Sequence, residues 1–128
     1  MRFFQSLIMS LAVVSCIACA SGPVNIAPDL TPAELIQRGQ EASDRNRYNQ
    51  SLQYYEAILD RFPSNRDAVC AAEYEIAFIH YKQKQYSQAQ DEFNALLRRY
   101  EGRDAELLPP EFKVLATIVV ERIAEKLQ

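Results

Sequence analysis

One pattern occurs in two segments of the chain and decides the fold. The segments are Tyr48-Asn-Gln-Ser-Leu-Gln-Tyr-Tyr-Glu-Ala-Ile-Leu-Asp-Arg-Phe-Pro63 and Tyr86-Ser-Gln-Ala-Gln-Asp-Glu-Phe-Asn-Ala-Leu-Leu-Arg-Arg-Tyr100. In each, an aromatic residue is followed by a small residue, a second aromatic residue and an aliphatic one, at intervals of three, four and three positions. These intervals place the four side chains on one face of an α-helix. The chain therefore contains an internal helical repeat.

A second helix is predicted before each of these segments. A small residue, Gly39 in the first repeat and Ala77 in the second, lies nine positions before the aromatic residue that opens the following segment. Small side chains in that position let two packed helices approach each other closely. The sequence therefore predicts two helix-turn-helix repeats.

Capping and turn residues set the predicted helix boundaries. Thr31 and Glu34 form a capping box at the start of the first helix. Ser64 is predicted to begin the third helix, and Gly102 to cap the end of the fourth. Tight turns are predicted at residues 46–47 and 84–85. The predicted helices cover about residues 31–45, 48–61, 64–83, 86–100 and 109–126.

The fifth helix is predicted to cover the end of the second repeat, because a single helix pair cannot bury its own apolar face. No segment shows the period of two that is typical of a strand, so the predicted fold is all-α. The apolar stripe of the fifth helix is predicted to contain Leu115, Ile118, Val119, Ile123 and Leu127, and its outer face Glu111, Lys113 and Glu121.

The combined pattern from Thr31 to Tyr100 resembles the tetratricopeptide repeat (TPR). The resemblance implies a short TPR solenoid, with repeats at about 32–63 and 66–100 and a C-terminal capping helix at about 109–126. Glu73 and Glu101 depart from the TPR pattern. The spacing from Tyr48 to Tyr86 is 38 residues, against about 34 in a typical TPR, which predicts a longer turn between the repeats.

The N-terminus has the composition of an export signal. One positive charge at Arg2 precedes an apolar run over residues 7–14 and small residues beyond it. This run is too short to span a membrane, which takes about 18 apolar residues or more. Residues 1–15 are therefore predicted to be a signal peptide.

Three ways of processing this signal remain open. Val13-Val14-Ser15-Cys16 resembles the bacterial lipobox, which implies acylation of Cys16. Acylation of Cys19 is the second alternative, and ordinary cleavage after Ala20, which leaves an unanchored exported protein, is the third. Residues 16–31 contain Pro23 and Pro28 and are predicted to be an extended tether.

Composition argues against several classes of function. The formal net charge is −3 and there is no basic stripe, so nucleic acid is a poor ligand. The single histidine, His80, leaves no catalytic set with a carboxylate and a nucleophile, and no metal or cofactor motif is present. Cys70 is predicted to be a small buried residue. The chain is therefore not expected to be an enzyme or to bind a metal or cofactor.

Protein binding is the remaining class, and the first helix of each repeat would supply the surface. Tyr74, Phe78 and Tyr81 share a helix face and predict an aromatic groove for an extended or helical peptide. The alternative is that the fifth helix packs over these aromatic residues as core, with Phe78 the most buried. The predicted groove residues are Ile36, Gln40 and Ser43 in the first repeat and Tyr74, Phe78, Tyr81 and Lys82 in the second.

The lipobox, the short tether and the segment from Tyr48 to Pro63 together resemble the N-terminal part of the BamD/ComL-like lipoproteins of outer-membrane β-barrel assembly. The resemblance implies a lipid-anchored accessory scaffold of that assembly, on the periplasmic face of the outer membrane. No Asp follows Cys16 or Cys19, which favours the outer membrane. The family typically has five repeats and this chain two, so a generic envelope TPR adaptor for a transporter, secretion or cell-wall complex is the alternative.

Overall fold

The computed structural model describes residues 22–128, and within that range the chain is all-α, as predicted. A short 3₁₀ turn, Ala105–Leu107, precedes the last helix, and residues 22–128 contain no strand. The five helices are α1 (Pro32–Asp44), α2 (Tyr48–Arg61), α3 (Arg66–Lys82), α4 (Tyr86–Arg99) and α5 (Pro110–Lys126). The predicted boundaries are confirmed to within two residues, and two of the predicted cap residues are corrected below.

Side chains close the N-termini of α1 and α3. The backbone N–H of Glu34 donates to Thr31 Oγ1 at 3.3 Å, and the N–H of Thr31 donates to Glu34 Oε2 at 2.8 Å, which confirms the capping box. The prediction that Ser64 begins α3 is wrong by two residues. Asn65 is the cap instead, because its side-chain oxygen accepts the N–H of Ala68 at 3.1 Å.

The turns inside the two repeats have the same conformation. Asn46 and Lys84 both have a left-handed backbone, with φ of 57° and 63°. Each turn is closed by a hydrogen bond to the end of the preceding helix, as in a Schellman motif. These bonds run from Arg47 N to Ala42 O at 2.8 Å and from Gln85 N to His80 O at 2.9 Å. Both predicted turns are confirmed.

The predicted cap at Gly102 is wrong. The helix α4 ends at Arg99, and Tyr100 keeps a right-handed helical backbone beyond it. Gly102 has no positive φ, and its N–H donates to Arg99 O at 3.3 Å within a run of ordinary turns. The chain leaves α4 without a left-handed residue, so glycine's conformational freedom is not used there.

The helices α1 and α2 meet most closely at Gly39. A Cβ atom at this position would lie 2.7 Å from the Cζ of Tyr55, which is shorter than real Cβ contacts. Ser51 Oγ donates a hydrogen bond of 2.7 Å to the Gly39 carbonyl across the same contact. In the second repeat, Ala77 and Ala89 are both fully buried. Gly39 is therefore a position where α1 and α2 touch, and Ala77 is buried at the corresponding position of the second repeat.

Two apolar clusters form the core, and α3 contributes to both. The first joins Leu30 and residues of α1, α2 and α3, and the second joins residues of α3, α4 and α5. Their largest fully buried side chains are Leu35, Tyr55, Ile58 and Ile79 in the first, and Cys70, Phe93, Leu96 and Ile123 in the second. Sharing α3 makes the two repeats one continuous structure.

The predicted apolar stripe of α5 is wrong in part. Val119 and Ile123 are buried as predicted, but Leu115, Ile118 and Leu127 are 41%, 39% and 50% exposed. The stripe that packs on the second repeat is instead formed by Phe112, Ala116, Val119 and Ile123, which follow each other at helical spacing. The helix is therefore rotated relative to the prediction, and its outward face is partly apolar.

The segment before α1 is not a free tether in its second half. The backbone N–H of Val24 donates to Gln53 Oε1 at 2.8 Å, and Arg61 Nη1 donates to the Ala27 carbonyl at 2.8 Å. Leu30 is buried in the first cluster. Residues 24–30 thus lie against α2. The predicted signal peptide and the acylation candidates Cys16 and Cys19 lie outside the described residues.

Candidate protein-binding face

The predicted groove residues lie on α1 and α3, which run side by side. Lys82 at the end of α3 donates a hydrogen bond to Ser43 Oγ on α1 and so joins the two helices. We call the surface that carries Ile36, Gln40, Phe78, Tyr81 and Lys82 the inner face. Gln40 is exposed, and the other four side chains are half-buried.

Aromatic rings form a continuous series along the inner face. The centroids of Tyr74 and Phe78 are 5.8 Å apart, and those of Phe78 and Tyr81 are 5.7 Å apart, with nearly parallel planes in both pairs. Tyr86 at the start of α4 extends the series, 5.7 Å from Tyr81. Stacked side chains hold one another in place, so the exposed parts of these rings form a pre-organised apolar surface.

Tyr74 belongs to the core rather than to the inner face. It is only 8% exposed, since Phe93 of α4 and Phe112 of α5 pack on it with ring centroids 5.5 and 5.6 Å away. The expectation that Phe78 would be the most buried of the three aromatic residues is wrong. The helix α5 covers the first residue of the series and leaves Phe78 and Tyr81 half-exposed.

Lys82 is held over two aromatic rings. Its ammonium nitrogen lies 5.2 Å from the ring centroid of Tyr48 and 5.3 Å from that of Phe78. A cation in this position is attracted by the ring faces, and the hydrogen bond to Ser43 fixes its direction. The inner face therefore has one positive charge at a defined place beside its aromatic surface.

Glu75 is a feature of the inner face that sequence reasoning missed. It lies one turn before Phe78 and two turns before Lys82 on α3 and is half-buried. Burial raises the pKa of its carboxyl group, Lys82 partly offsets this effect, and Asp44 adds to it. The signal in the sequence was its spacing, since Glu75, Phe78 and Lys82 follow at intervals of three and four.

A cleft of about 330 Å³ lies on the opposite side of α3, where α2 and α4 flank it. Its wall contains an ion pair in which Arg99 Nη2 lies 2.6 Å from Glu73 Oε1. The rest of it is lined by Leu59, Ile76, Glu92, Ala95 and Leu96. This ion pair explains why Glu73 replaces the apolar residue expected there, since its carboxylate meets Arg99 at the edge of the cleft.

Two further polar contacts occur in or next to the second repeat. His80 Nδ1 lies 2.7 Å from Glu92 Oε2, and Tyr100 donates to the Pro109 carbonyl at 2.6 Å. Cys70 is buried, and burial raises the pKa of its thiol. Across residues 22–128 no group of three or more potential metal ligands comes together, and no helix there has the length and apolar character needed to cross a membrane.

The fold and this face define an all-α protein built from two helix hairpins and a terminal helix. No protein-family model matches the chain, and no solved structure matches it significantly. It is 37% identical over 115 residues to a protein of Treponema pallidum (strain Nichols) described as an uncharacterized protein. The match covers 88% of this chain and 46% of the relative, so the chain spans about half of that protein's length.

Proposed function

We propose that this chain is an envelope-anchored protein-interaction module whose inner face binds an extended or helical segment of another protein. The observation that carries the proposal is the series of contacting rings Phe78–Tyr81–Tyr86, which stays partly exposed beside the fixed charge of Lys82. Partly exposed tyrosine and phenylalanine rings give a large contact area at low entropic cost and are typical of binding hot spots.

The chemistry of this face favours a ligand with an apolar or aromatic side chain next to an acceptor group. The ring series would contact the apolar side chain, and Lys82 would contact a carboxylate or carbonyl oxygen. The aromatic-ended C-terminal segment of an outer-membrane protein has this combination, which supports a role as an accessory of β-barrel assembly. A segment of an envelope transporter, secretion or cell-wall complex is the alternative ligand.

We propose further that the protein is lipid-anchored at Cys16, or at Cys19, on the periplasmic face of the outer membrane. Residues 24–30 lie along α2, so only the residues between the acylated cysteine and Val24 would separate the helices from the bilayer. Alanine at Cys16 and Cys19 together is expected to move the protein from membrane to soluble fractions, and single replacements would identify the acylated residue. A double variant that stays with the membrane would contradict the anchor.

Site-specific photocrosslinking in cells tests the proposed binding face. A photoreactive phenylalanine analogue is introduced at Gln40 or Tyr81 on the inner face, or at Leu59 in the opposite cleft as the control. The inner-face positions are expected to form one common crosslinked product, absent from the Leu59 variant. Mass spectrometry of that product separates a barrel-assembly component from another envelope complex. Crosslinks at Leu59 alone would place binding on the opposite face and contradict the proposal.

A further inference from the structure

The outward face of α5 carries three exposed apolar side chains. Val114, Leu115 and Ile118 are 59%, 41% and 39% exposed, and they adjoin one another at helical spacing. These three side chains therefore mark a surface that a partner would cover.

Comparison with α3 shows what kind of partner would fit. The buried residues Ala116 and Ile123 of α5 occupy the same places along their helix as Ala72 and Ile79 of α3, 44 positions earlier. Both pairs pack on the preceding repeat. The helix α5 thus takes the position that α3 takes in the second repeat, namely the first helix of a hairpin.

By the same offset, Val114 and Ile118 correspond to Cys70 and Tyr74. In α3 these two side chains are covered by α4, since Tyr74 contacts Phe93 and both lie in the second core cluster. The exposed residues of α5 are therefore those that a second, antiparallel helix would bury. Among the described residues no such helix follows α5.

The charges around these side chains are arranged symmetrically. Glu111, Leu115, Ile118 and Arg122 follow at intervals of four, three and four and lie on one stripe of α5. An acidic group stands at one end of the stripe and a basic group at the other. Two copies of this stripe in antiparallel orientation place each Glu111 opposite the other copy's Arg122, with Leu115 opposite Ile118.

We propose that α5 is a dimerisation helix, and that its partner is the α5 of a second copy of this chain. The two helices pack antiparallel about a two-fold axis between Leu115 and Ile118, so that each copy covers the exposed apolar side chains of the other. Glu111 and Arg122 are both exposed, and neither forms an ion pair within residues 22–128. Both are thus available for pairing across the axis.

This interface is of the weak, transient class. Contact through one helix from each copy buries less than the roughly 1,200 Å² at which stable interfaces begin. Dimers are therefore expected to form in a concentration-dependent way. Opposite charges at the two ends would fix the antiparallel register, because a parallel pairing would place like charges opposite each other.

Charge exchange tests this pairing without disturbing the core. The full chain is purified in detergent, and its mass is followed across protein concentration by sedimentation. The wild type is expected to form a dimer. Glu111→Arg and Arg122→Glu should each weaken it by about tenfold or more, because each puts like charges at both ends of the stripe. The double variant should restore dimerisation, since every pair is again of opposite charge.

Two further variants complete the test. Leu115→Asp is expected to give a monomer with unchanged helicity, because the side chain is already 41% exposed. Lys113→Glu lies on another side of α5 and should leave the dimer unchanged. A wild type that stays monomeric at every concentration, or a double variant that fails to recover, would overturn the proposal. Photocrosslinking at Val114 that captures a different protein instead of a second copy would also overturn it.

Discussion

Replacement of Ile123 by alanine is expected to lower the free energy of unfolding by about 2–5 kcal/mol. Ile123 is fully buried, and its side chain lies in the cluster that joins α5 to α3 and α4. Shortening it leaves a cavity that the surrounding helices can only partly fill. For a domain of about 100 residues this corresponds to a fall of roughly 10 °C or more in melting temperature.

The matched control lies on the same helix. Leu127 follows Ile123 by four residues and is 50% exposed, so Leu127→Ala removes a similar apolar side chain from a largely solvated position. It is expected to change the free energy of unfolding by about 0.5 kcal/mol or less. Chemical denaturation monitored by circular dichroism measures both variants. If the Ile123→Ala and Leu127→Ala variants had equal free energies of unfolding, α5 would not be an integral part of the core.

Leucine in place of Gly39 is expected to destabilise the protein by about 1–3 kcal/mol through overpacking. Even a Cβ atom at this position would lie 2.7 Å from the ring of Tyr55, which is fully buried. The new side chain would force α1 away from α2. It would also displace the hydrogen bond between Ser51 and the Gly39 carbonyl.

A neighbouring residue provides the control for this substitution. Gln40→Leu adds a similar side chain one position later, on an exposed part of α1, and should leave the melting temperature nearly unchanged. Gly39→Ala combined with Tyr55→Leu should be less destabilised than the sum of the single variants, since the smaller side chain removes the clash. If the destabilising effects of the two substitutions were additive, the ring of Tyr55 would not be the reason that position 39 requires glycine.

The sequence predicted the helices well because several local signals agreed. The capping box at Thr31, the turns at residues 46–47 and 84–85 and the small positions Gly39 and Ala77 all depend on neighbours close in the chain. The structure confirms each of them. The predicted longer turn between the repeats is wrong, because only residues 62–65 separate α2 from α3 and the extra length lies in α3, which has 17 residues against 13 in α1.

Long-range packing explains what the sequence could not predict. In the sequence, Leu115 and Ile118 fit the helical period of α5 as well as Phe112 and Ala116 do. Only the shape of the second repeat decides which of these side chains become buried. The same holds for Tyr74, which became core because Phe93 and Phe112 reach it from two other helices. The place of residues 24–30 along α2 also depends on contacts with side chains about 30 residues away.

The burial of Tyr74 determines which variants can test the inner face. Removing Tyr74 would damage the core, so a variant meant to weaken binding alone must use Phe78 and Tyr81. Both are half-buried and lie beside the charge of Lys82. Leu59 is half-buried in the cleft on the opposite side of α3 and serves as the matched control.

The most direct test of the proposed binding face is quantitative affinity capture from detergent-solubilised envelopes with three forms of the tagged full chain. These are the wild type, Phe78→Ser with Tyr81→Ser, and Leu59→Ser, each checked for native helicity. We expect the wild type and Leu59→Ser to recover the same partner, the one crosslinked at Gln40 and Tyr81, and the inner-face variant to lose it by about tenfold or more. Equal recovery by all three forms would contradict the account, because the aromatic series would then play no part in binding.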